Sequence, residues 1–236
     1  MPYGFYFDYT YVLVLVGALL CMAASFMVNS TYKKYAKVAS LSGMTGAQAA
    51  ERILNYSGVT DVTIEHVSGE LTDHFDPKNK VVRLSDSTYN STSVAAIGVA
   101  AHECGHVLQH HEGYGPIKLR SALVPAANIG SKLGIPIVLL GVLLSWNQIL
   151  IQIGIWVFAL AVLFQIVTLP VEFNASSRAL AMVQQFGILG EDEIGNTKKV
   201  LRAAAMTYVA AAASSILQLL RLILLYGNRG KRTKNY

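Results

Sequence analysis

An apolar block without a charged side chain, residues 133–169, constrains the fold most strongly. It holds 37 consecutive residues without a charged side chain, although about 20 apolar residues suffice to cross the ~30 Å hydrocarbon core of a bilayer. The polar sequence at residues 145–148 interrupts the stretch near its middle, as a tight turn between two spans would. The pattern therefore predicts two membrane helices joined by a short turn.

Two further apolar blocks lie on either side of this pair. Residues 9–28 carry only apolar and uncharged polar side chains, and residues 203–227 form a weaker block because Arg221 lies inside it. A signal peptide is a poor explanation of the first block, because no Lys or Arg precedes it and its apolar run is too long. With 53% hydrophobic and 14% charged residues, the chain is predicted to be a mainly α-helical membrane protein with about four transmembrane helices.

Residues 29–132 are long enough for a small extramembrane domain. Capping residues and apolar spacing predict a helix from Thr45 to Tyr56 and another from Val94 to about His111. Between them, alternating side chains predict a small antiparallel sheet. We therefore predict a small α+β domain inserted between the first and second transmembrane helices. The predicted division of the chain is residues 1–28 (first span), 29–132 (domain), 133–169 (transmembrane hairpin), 170–200 (helix) and 201–236 (last membrane helix and basic tail).

The distribution of basic residues predicts the topology. Nothing basic precedes the first span, whereas Lys33, Lys34 and Lys37 follow it, so residues 29 onward should lie on the cytoplasmic side. Four full crossings would then place both termini on the other side, which conflicts with the basic tail. Either the tail is exported, or the last segment does not fully cross; the sequence leaves both alternatives open. The basic residues of that tail are Arg229, Lys231, Arg232 and Lys234.

The sequence H-E-C-G-H at residues 102–106 lies within the second predicted helix of the domain. Histidines four residues apart share one helical face, so His102 and His106 can bind one zinc ion. Glu103 between them can act as a general base toward a water molecule. Cys104 should lie on the far side of the helix and fill the core. A catalytic zinc site needs a third protein ligand and an open position.

The third ligand is not supplied by the same helix. The metzincin arrangement is excluded, because Gln109 and Glu112 stand at its glycine and third-histidine positions. His110 and His111 lie more than about 10 Å further along the axis and are assigned to the C-terminal end of the helix. A glutamate from a second helix is the remaining solution. The available glutamates are Glu51, Glu65, Glu70, Glu172, Glu191 and Glu193.

Glu172 is the strongest of these glutamates because it follows a predicted membrane span directly. Burial of an unpaired carboxylate at that position is costly, and a metal ion would compensate its charge. A glutamate that lies at the level of the lipid headgroups is the alternative.

Four stretches carry a resemblance to a known family: residues 69–77, the motif helix through Gln109, residues 119–125 and residues 169–181. In this order they resemble the neutral zinc metallopeptidases of the YugP type, which are gluzincin-like integral membrane proteins of bacteria. The resemblance implies Glu172 as the third zinc ligand and the bacterial plasma membrane as the location. It aligns Ser176 with an acidic position of related membrane proteases, where that acid orients a histidine. The residue with this role stays open, and the candidates are Asp73, Asp76, Asp86 and Asn174.

These observations lead to one expected function and one alternative. We expect a zinc-dependent endopeptidase with one zinc ion per chain, bound by His102, His106 and Glu172, and with Glu103 as the base. His74 is a candidate donor to the oxyanion, and a purely structural role for it is equally compatible. The alternative is a non-catalytic zinc-binding membrane scaffold or adaptor. Expected partners are a peptide or membrane-protein substrate and the lipid bilayer, not nucleic acid; a homo-oligomer is compatible with the sequence.

Overall fold

The computed structural model describes residues 8–227. Within this range the chain is mostly helical and also forms three short strands. The elements are α1 (Tyr11–Tyr35), α2 (Gly46–Tyr56), β1 (Thr63–Val67), β2 (His74–Asp76), β3 (Val81–Ser85), α3 (Val94–His111), α4 (Gly115–Leu143), α5 (Gln148–Gln185) and α6 (Glu191–Leu222), which continues as a π-helical turn over Ile223–Gly227. The basic tail at residues 229–234 lies outside the described range.

Four helices, α1, α4, α5 and α6, are long and apolar enough to cross a membrane. Large apolar side chains on them are exposed, among them Phe26 and Trp156 at 76% and 75%, an exposure that lipid tolerates and water does not. The predicted turn within the uncharged stretch is confirmed. Asn147 accepts hydrogen bonds from the backbone N–H groups of Ile149 and Leu150 and so caps the start of α5.

The described residues divide into two compact units. The first comprises residues 8–23, 120–167 and 209–227. In it, α4 and α5 approach closely at glycines: a Cβ on Gly134 would lie 2.6 Å from the Cβ of Phe158, and one on Gly154 would lie 2.7 Å from the backbone nitrogen of Val138. Small residues at such crossings are typical of packed membrane helices. Arg221 lies 3.5 Å from an Asp8 carboxylate oxygen, so its charge inside an apolar segment is compensated.

The second compact unit comprises residues 24–119 and 168–208. It therefore contains α2, α3 and the sheet together with the ends of α1 and α5 and the start of α6. The first two turns of α3 are buried apart from Val99, which is half-buried, close to the prediction, and Ser93 caps this helix by accepting from the N–H of Ala96. Cys104 is fully buried, and its thiol faces the carbonyl oxygen of Ala50, which confirms its expected place in the core.

The sheet has the order β1-β3-β2. The β2–β3 hairpin is antiparallel, as expected, but β1 pairs with β3 in parallel, with Thr63 opposite Val81. The expectation of a wholly antiparallel sheet was therefore wrong. Alternation of side chains determines which face of a strand is buried and carries no information about strand direction. The direction of β3 relative to β1 depends on the connection between β1 and β2. This connection leaves a gap between these two strands, and β3 then fills the gap and runs parallel to β1.

Helix α5 runs without interruption for 38 residues and contains Pro170. At 1.5 Å per residue it is about 57 Å long, well beyond the ~30 Å of a hydrocarbon core. The sequence assigned residues 133–169 and 170–200 to separate segments, whereas α5 joins the end of the first to the start of the second. This single helix carries Glu172 and Ser176 on one face, one turn apart.

Candidate metal centre

Two neighbouring helices bring together the three residues that the sequence selected as metal ligands. His102 and His106 lie one turn apart on α3, with ring centroids 4.8 Å from each other. Glu172 on α5 places its Oε2 atom 3.3 Å from Nε2 of His102 and 3.6 Å from Nε2 of His106. One donor atom from each of the three residues lies within 4.8 Å of the other two.

These separations fit a zinc ion. Bonds of about 2.0–2.1 Å to a tetrahedral zinc place neighbouring ligand atoms about 3.3–3.4 Å apart, close to the two distances from Glu172. Two imidazole nitrogens and one carboxylate oxygen also form one of the usual donor sets of catalytic zinc, which leaves one position open. The cluster therefore fits zinc in both geometry and chemistry.

The burial of the cluster supports the same conclusion. Glu172 is 2% exposed and His106 is 8% exposed, and a buried carboxylate requires a positive partner. Burial lowers the pKa of His106, but the hydrogen bond to Glu172 and the charges of Glu103 and Glu172 outweigh it, so that this pKa lies above its ordinary value. The pocket is thus built to attract positive charge at the Nε2 atoms.

The second nitrogen of each histidine is also engaged. Nδ1 of His102 lies 3.1 Å from Oγ of Ser176, and Nδ1 of His106 lies 3.0 Å from Oε1 of Gln109. Such contacts fix the orientation of metal-binding imidazoles. Ser176 thus contacts a histidine from the position that is acidic in related proteases.

The other residues considered for this orienting role are engaged elsewhere. Asp73 accepts from Ser85, Asp76 pairs with Arg83, and Asp86 accepts from Gly69. Asn174 acts on His106 through Gln109, because its Oδ1 atom accepts a hydrogen bond from Nε2 of Gln109. Gln109 itself was missed in this role. Its position three residues after His106, on the same helical face, is the sequence signal that could have indicated it.

The hydrogen bonds of Gln109 determine the tautomer of His106. Nε2 of the Gln109 amide donates to the carbonyl oxygen of Val171 at 2.8 Å, a group that can only accept. Oε1 must then face His106 and accept from its Nδ1–H. The neutral His106 ring therefore carries its proton on Nδ1 and presents the lone pair of Nε2 to the cluster, the form that binds a metal ion.

The close approach of α3 and α5 depends on Gly105. A Cβ atom at this position would lie 2.6 Å from the carbonyl oxygen of Ala175, closer than side-chain carbons approach a backbone. The absence of a side chain at Gly105 lets the two backbones meet. This contact brings Glu172 and Ser176 within reach of the histidines.

Glu103 and Cys104 occupy the two positions after His102. Glu103 is buried, with 8% exposure, and its charge acts on His106. Burial raises the pKa of the Cys104 thiol far above its ordinary value, so the thiol stays neutral in the core and does not act as a metal ligand.

His74 lies in β2 and is exposed. Its Nδ1 atom lies 2.8 Å from the carbonyl oxygen of Thr72, so the neutral ring donates there and holds its lone pair on Nε2. His74 is not one of the three clustered residues. Its expected role toward an oxyanion stays a prediction.

The remaining glutamates and histidines are outside the cluster. Glu193 accepts from the backbone N–H groups of Leu41 and Gly190 and so ties the start of α6 to the loop after α1. Glu65 pairs with Arg83 in the sheet. His110 packs edge-on against Phe75 in the last turn of α3, where His111 also lies.

Two histidines of an H-E-x-x-H motif and a glutamate from a neighbouring helix, in a chain with four apolar candidate spans, are typical of membrane-bound zinc-dependent peptidases. The chain belongs to the family described as "Putative neutral zinc metallopeptidase", whose model matches residues 10–227, and this confirms the resemblance seen in the sequence. It is 47% identical over 219 residues, 92% of this chain and 97% of the relative, to the "Putative membrane protease YugP" of Bacillus subtilis (strain 168). No solved structure matches the chain.

Proposed function

We propose that the protein is a zinc-dependent endopeptidase that hydrolyses peptide bonds of membrane or membrane-associated proteins. The observation that carries the proposal is the position of Glu172, whose carboxylate lies within 3.6 Å of both histidines of the H-E-x-x-H motif. The family and the name of the relative from Bacillus subtilis support the same activity.

In this proposal one zinc ion per chain is held by His102, His106 and Glu172. When bound, zinc supplies Lewis-acid chemistry, which lowers the pKa of a water molecule toward 7 and polarises the carbonyl group of a peptide. Glu103 accepts the proton of the attacking water and returns a proton to the leaving amine. Gln109 and Ser176 hold the two imidazoles so that their Nε2 lone pairs point to a common position.

His74 is proposed to stabilise the oxyanion in its protonated form. Because the neutral ring donates from Nδ1 to Thr72, Nε2 can donate only when the imidazolium is formed.

The proposed substrates follow from the position of the third ligand. Glu172 comes three residues after Leu169, the end of the apolar block, and so lies about 5 Å further along the axis of α5. A site at that depth is within reach of chain segments next to a membrane. We propose that the site faces the cytoplasmic side of the bacterial plasma membrane, because basic residues gather at the C-terminal end of α1 and before the apolar part of α6. We also propose that residues 29–132 form an inserted domain that α5 completes.

The test uses the full-length protein in lipid vesicles together with a single-span membrane protein that carries an unstructured segment next to its span. The wild-type protein should cleave this segment in the presence of zinc, and Glu103→Gln should retain zinc and lose at least about 100-fold in rate. Glu51→Gln, a change of an exposed glutamate in α2, is the matched control and should cleave normally. Equal cleavage by wild type and Glu103→Gln would contradict the proposal.

A further inference from the structure

Helices α1 and α6 border an open cavity of about 530 Å³ within the second compact unit, and none of His102, His106 and Glu172 lines it. Its volume lies within the range of about 300–1,000 Å³ that is usual for small-molecule sites. The cavity is lined by Met27, Thr31, Lys34, Tyr35, Lys199, Arg202, Ala203 and Met206.

Three exposed positive charges line this cavity, and none of them has a negative partner in the described part of the chain. Within residues 8–227, no carboxylate lies within 4.0 Å of a charged nitrogen of Lys34, Lys199 or Arg202. Both lysines approach the ring of Tyr35, with Nζ atoms 5.4 Å and 5.8 Å from its centroid. Cations gathered around one buried ring, with their charges uncompensated, form a site for an anion.

The walls of the cavity change character along the helix axes. On α1 the lining residue Met27 lies seven positions before Lys34, and on α6 Met206 lies seven positions after Lys199. Each interval corresponds to about 10 Å of helix. Because the two helices reach this cavity from opposite chain directions, both apolar ends should lie on one side and both cationic ends on the other.

An amphiphile matches this arrangement better than a free anion does. Lys34 lies just after the apolar segment of α1, and Lys199 lies just before the apolar segment of α6. Both lysines are therefore expected at the depth of the lipid phosphates, at the edge of the hydrocarbon core. Basic pockets between membrane helices on the cytoplasmic side are suited to anionic headgroups. We propose that this cavity binds an anionic phospholipid, with its phosphate at the two lysines and Arg202 and its acyl chain along Met27, Ala203 and Met206.

The experiment measures lipid binding to the purified full-length protein in neutral detergent by native mass spectrometry. The probes are dioleoyl phosphatidylglycerol and dioleoyl phosphatidylcholine, which share their acyl chains and differ in charge. The wild-type protein should bind the anionic lipid at least about tenfold more tightly, and millimolar inorganic phosphate should not displace it. Equal affinity for both lipids would contradict the proposal, and displacement by phosphate would show a free-anion site in place of a lipid site.

Matched variants locate the site. Each of Lys34→Gln, Lys199→Gln and Arg202→Gln should weaken phosphatidylglycerol binding about fivefold, and the triple variant on the order of 100-fold. The control replaces three exposed lysines outside the cavity lining, Lys33, Lys37 and Lys198, with glutamine, and its affinity should stay within about threefold of wild type. An equal loss of phosphatidylglycerol affinity in the control would show that general surface charge attracts the lipid, and this result would contradict the proposed site.

Discussion

Gln109 donates a hydrogen bond of 2.8 Å to the backbone carbonyl oxygen of Val171, and this bond connects the two helices that hold the proposed metal ligands. Val171 directly precedes Glu172, and the opposite atom of the same Gln109 amide contacts His106. One buried side chain therefore sets the orientation of a histidine on α3 and the position of the glutamate on α5. Arg178 donates to the same Asn174 oxygen that accepts from Gln109, and this contact further fixes the orientation of the Gln109 amide.

The first prediction concerns Gln109. Gln109→Ala leaves the Nδ1–H of His106 and the carbonyl of Val171 without their partner in a buried site, and zinc affinity should fall about 10- to 100-fold. Competition with a chromophoric chelator measures this affinity. Gln184→Ala, at an exposed glutamine of α5, is the control and should bind zinc as wild type does. Wild-type affinity in Gln109→Ala would show that the amide has no part in the site.

The second prediction concerns Ser176, whose hydroxyl oxygen lies 3.1 Å from Nδ1 of His102. Ser176→Ala removes this contact and should weaken zinc binding about tenfold. Ser176→Asp introduces the acidic residue that related membrane proteases carry there, and its charge should hold the Nδ1–H at least as well. The order of zinc affinity should be Asp, then Ser, then Ala; equal affinities of Ser and Ala would refute the role of the hydroxyl.

The third prediction concerns the contact of Gly105 with Ala175. Gly105→Ala introduces a methyl group 2.6 Å from a backbone oxygen, so α3 and α5 must move apart, at a cost of about 1–3 kcal/mol. The apparent Tm and the bound zinc should both fall. Gly195→Ala is the matched control, because a Cβ there meets no atom within 4 Å. That change within α6 should leave the Tm unchanged or raise it.

The fourth prediction concerns His74. If Nε2 of His74 donates to the oxyanion, His74→Ala should lower the rate of cleavage about 100-fold and leave the zinc affinity unchanged. Steady-state kinetics and the competition with a chelator measure these two quantities. Equal rates of cleavage by wild type and His74→Ala would assign His74 to its bond with Thr72 alone.

Much of the local structure could be predicted from the sequence because its causes are local. The bounds of α3 follow from the cap at Ser93 and the apolar residues after it, and the turn before α5 follows from the polar residues after Leu144. Glu172 could be selected as a ligand because an acid directly after an uncharged stretch is costly without a partner.

The parts that could not be predicted depend on tertiary contacts. The parallel pairing of β1 with β3 depends on where the chain crosses, and the pattern of β1 does not encode it. Gln109 is polar and fully buried; its spacing from His106 hints at a contact with that histidine, but its link to α5 is visible only once Val171 and Asn174 lie beside it. The same holds for Gly105, since only the neighbouring backbone of Ala175 shows why a side chain cannot be placed there.

The central claim is that His102, His106 and Glu172 hold a zinc ion with one position open, and zinc K-edge X-ray absorption of the full-length protein tests it most directly. The account predicts four nitrogen or oxygen neighbours at about 2.0–2.1 Å, of which two are imidazoles and one comes from solvent. In Glu172→Gln the bound zinc should be lost or greatly reduced. A site closed by four protein ligands would indicate the scaffold alternative, and unchanged zinc coordination in Glu172→Gln would contradict the account.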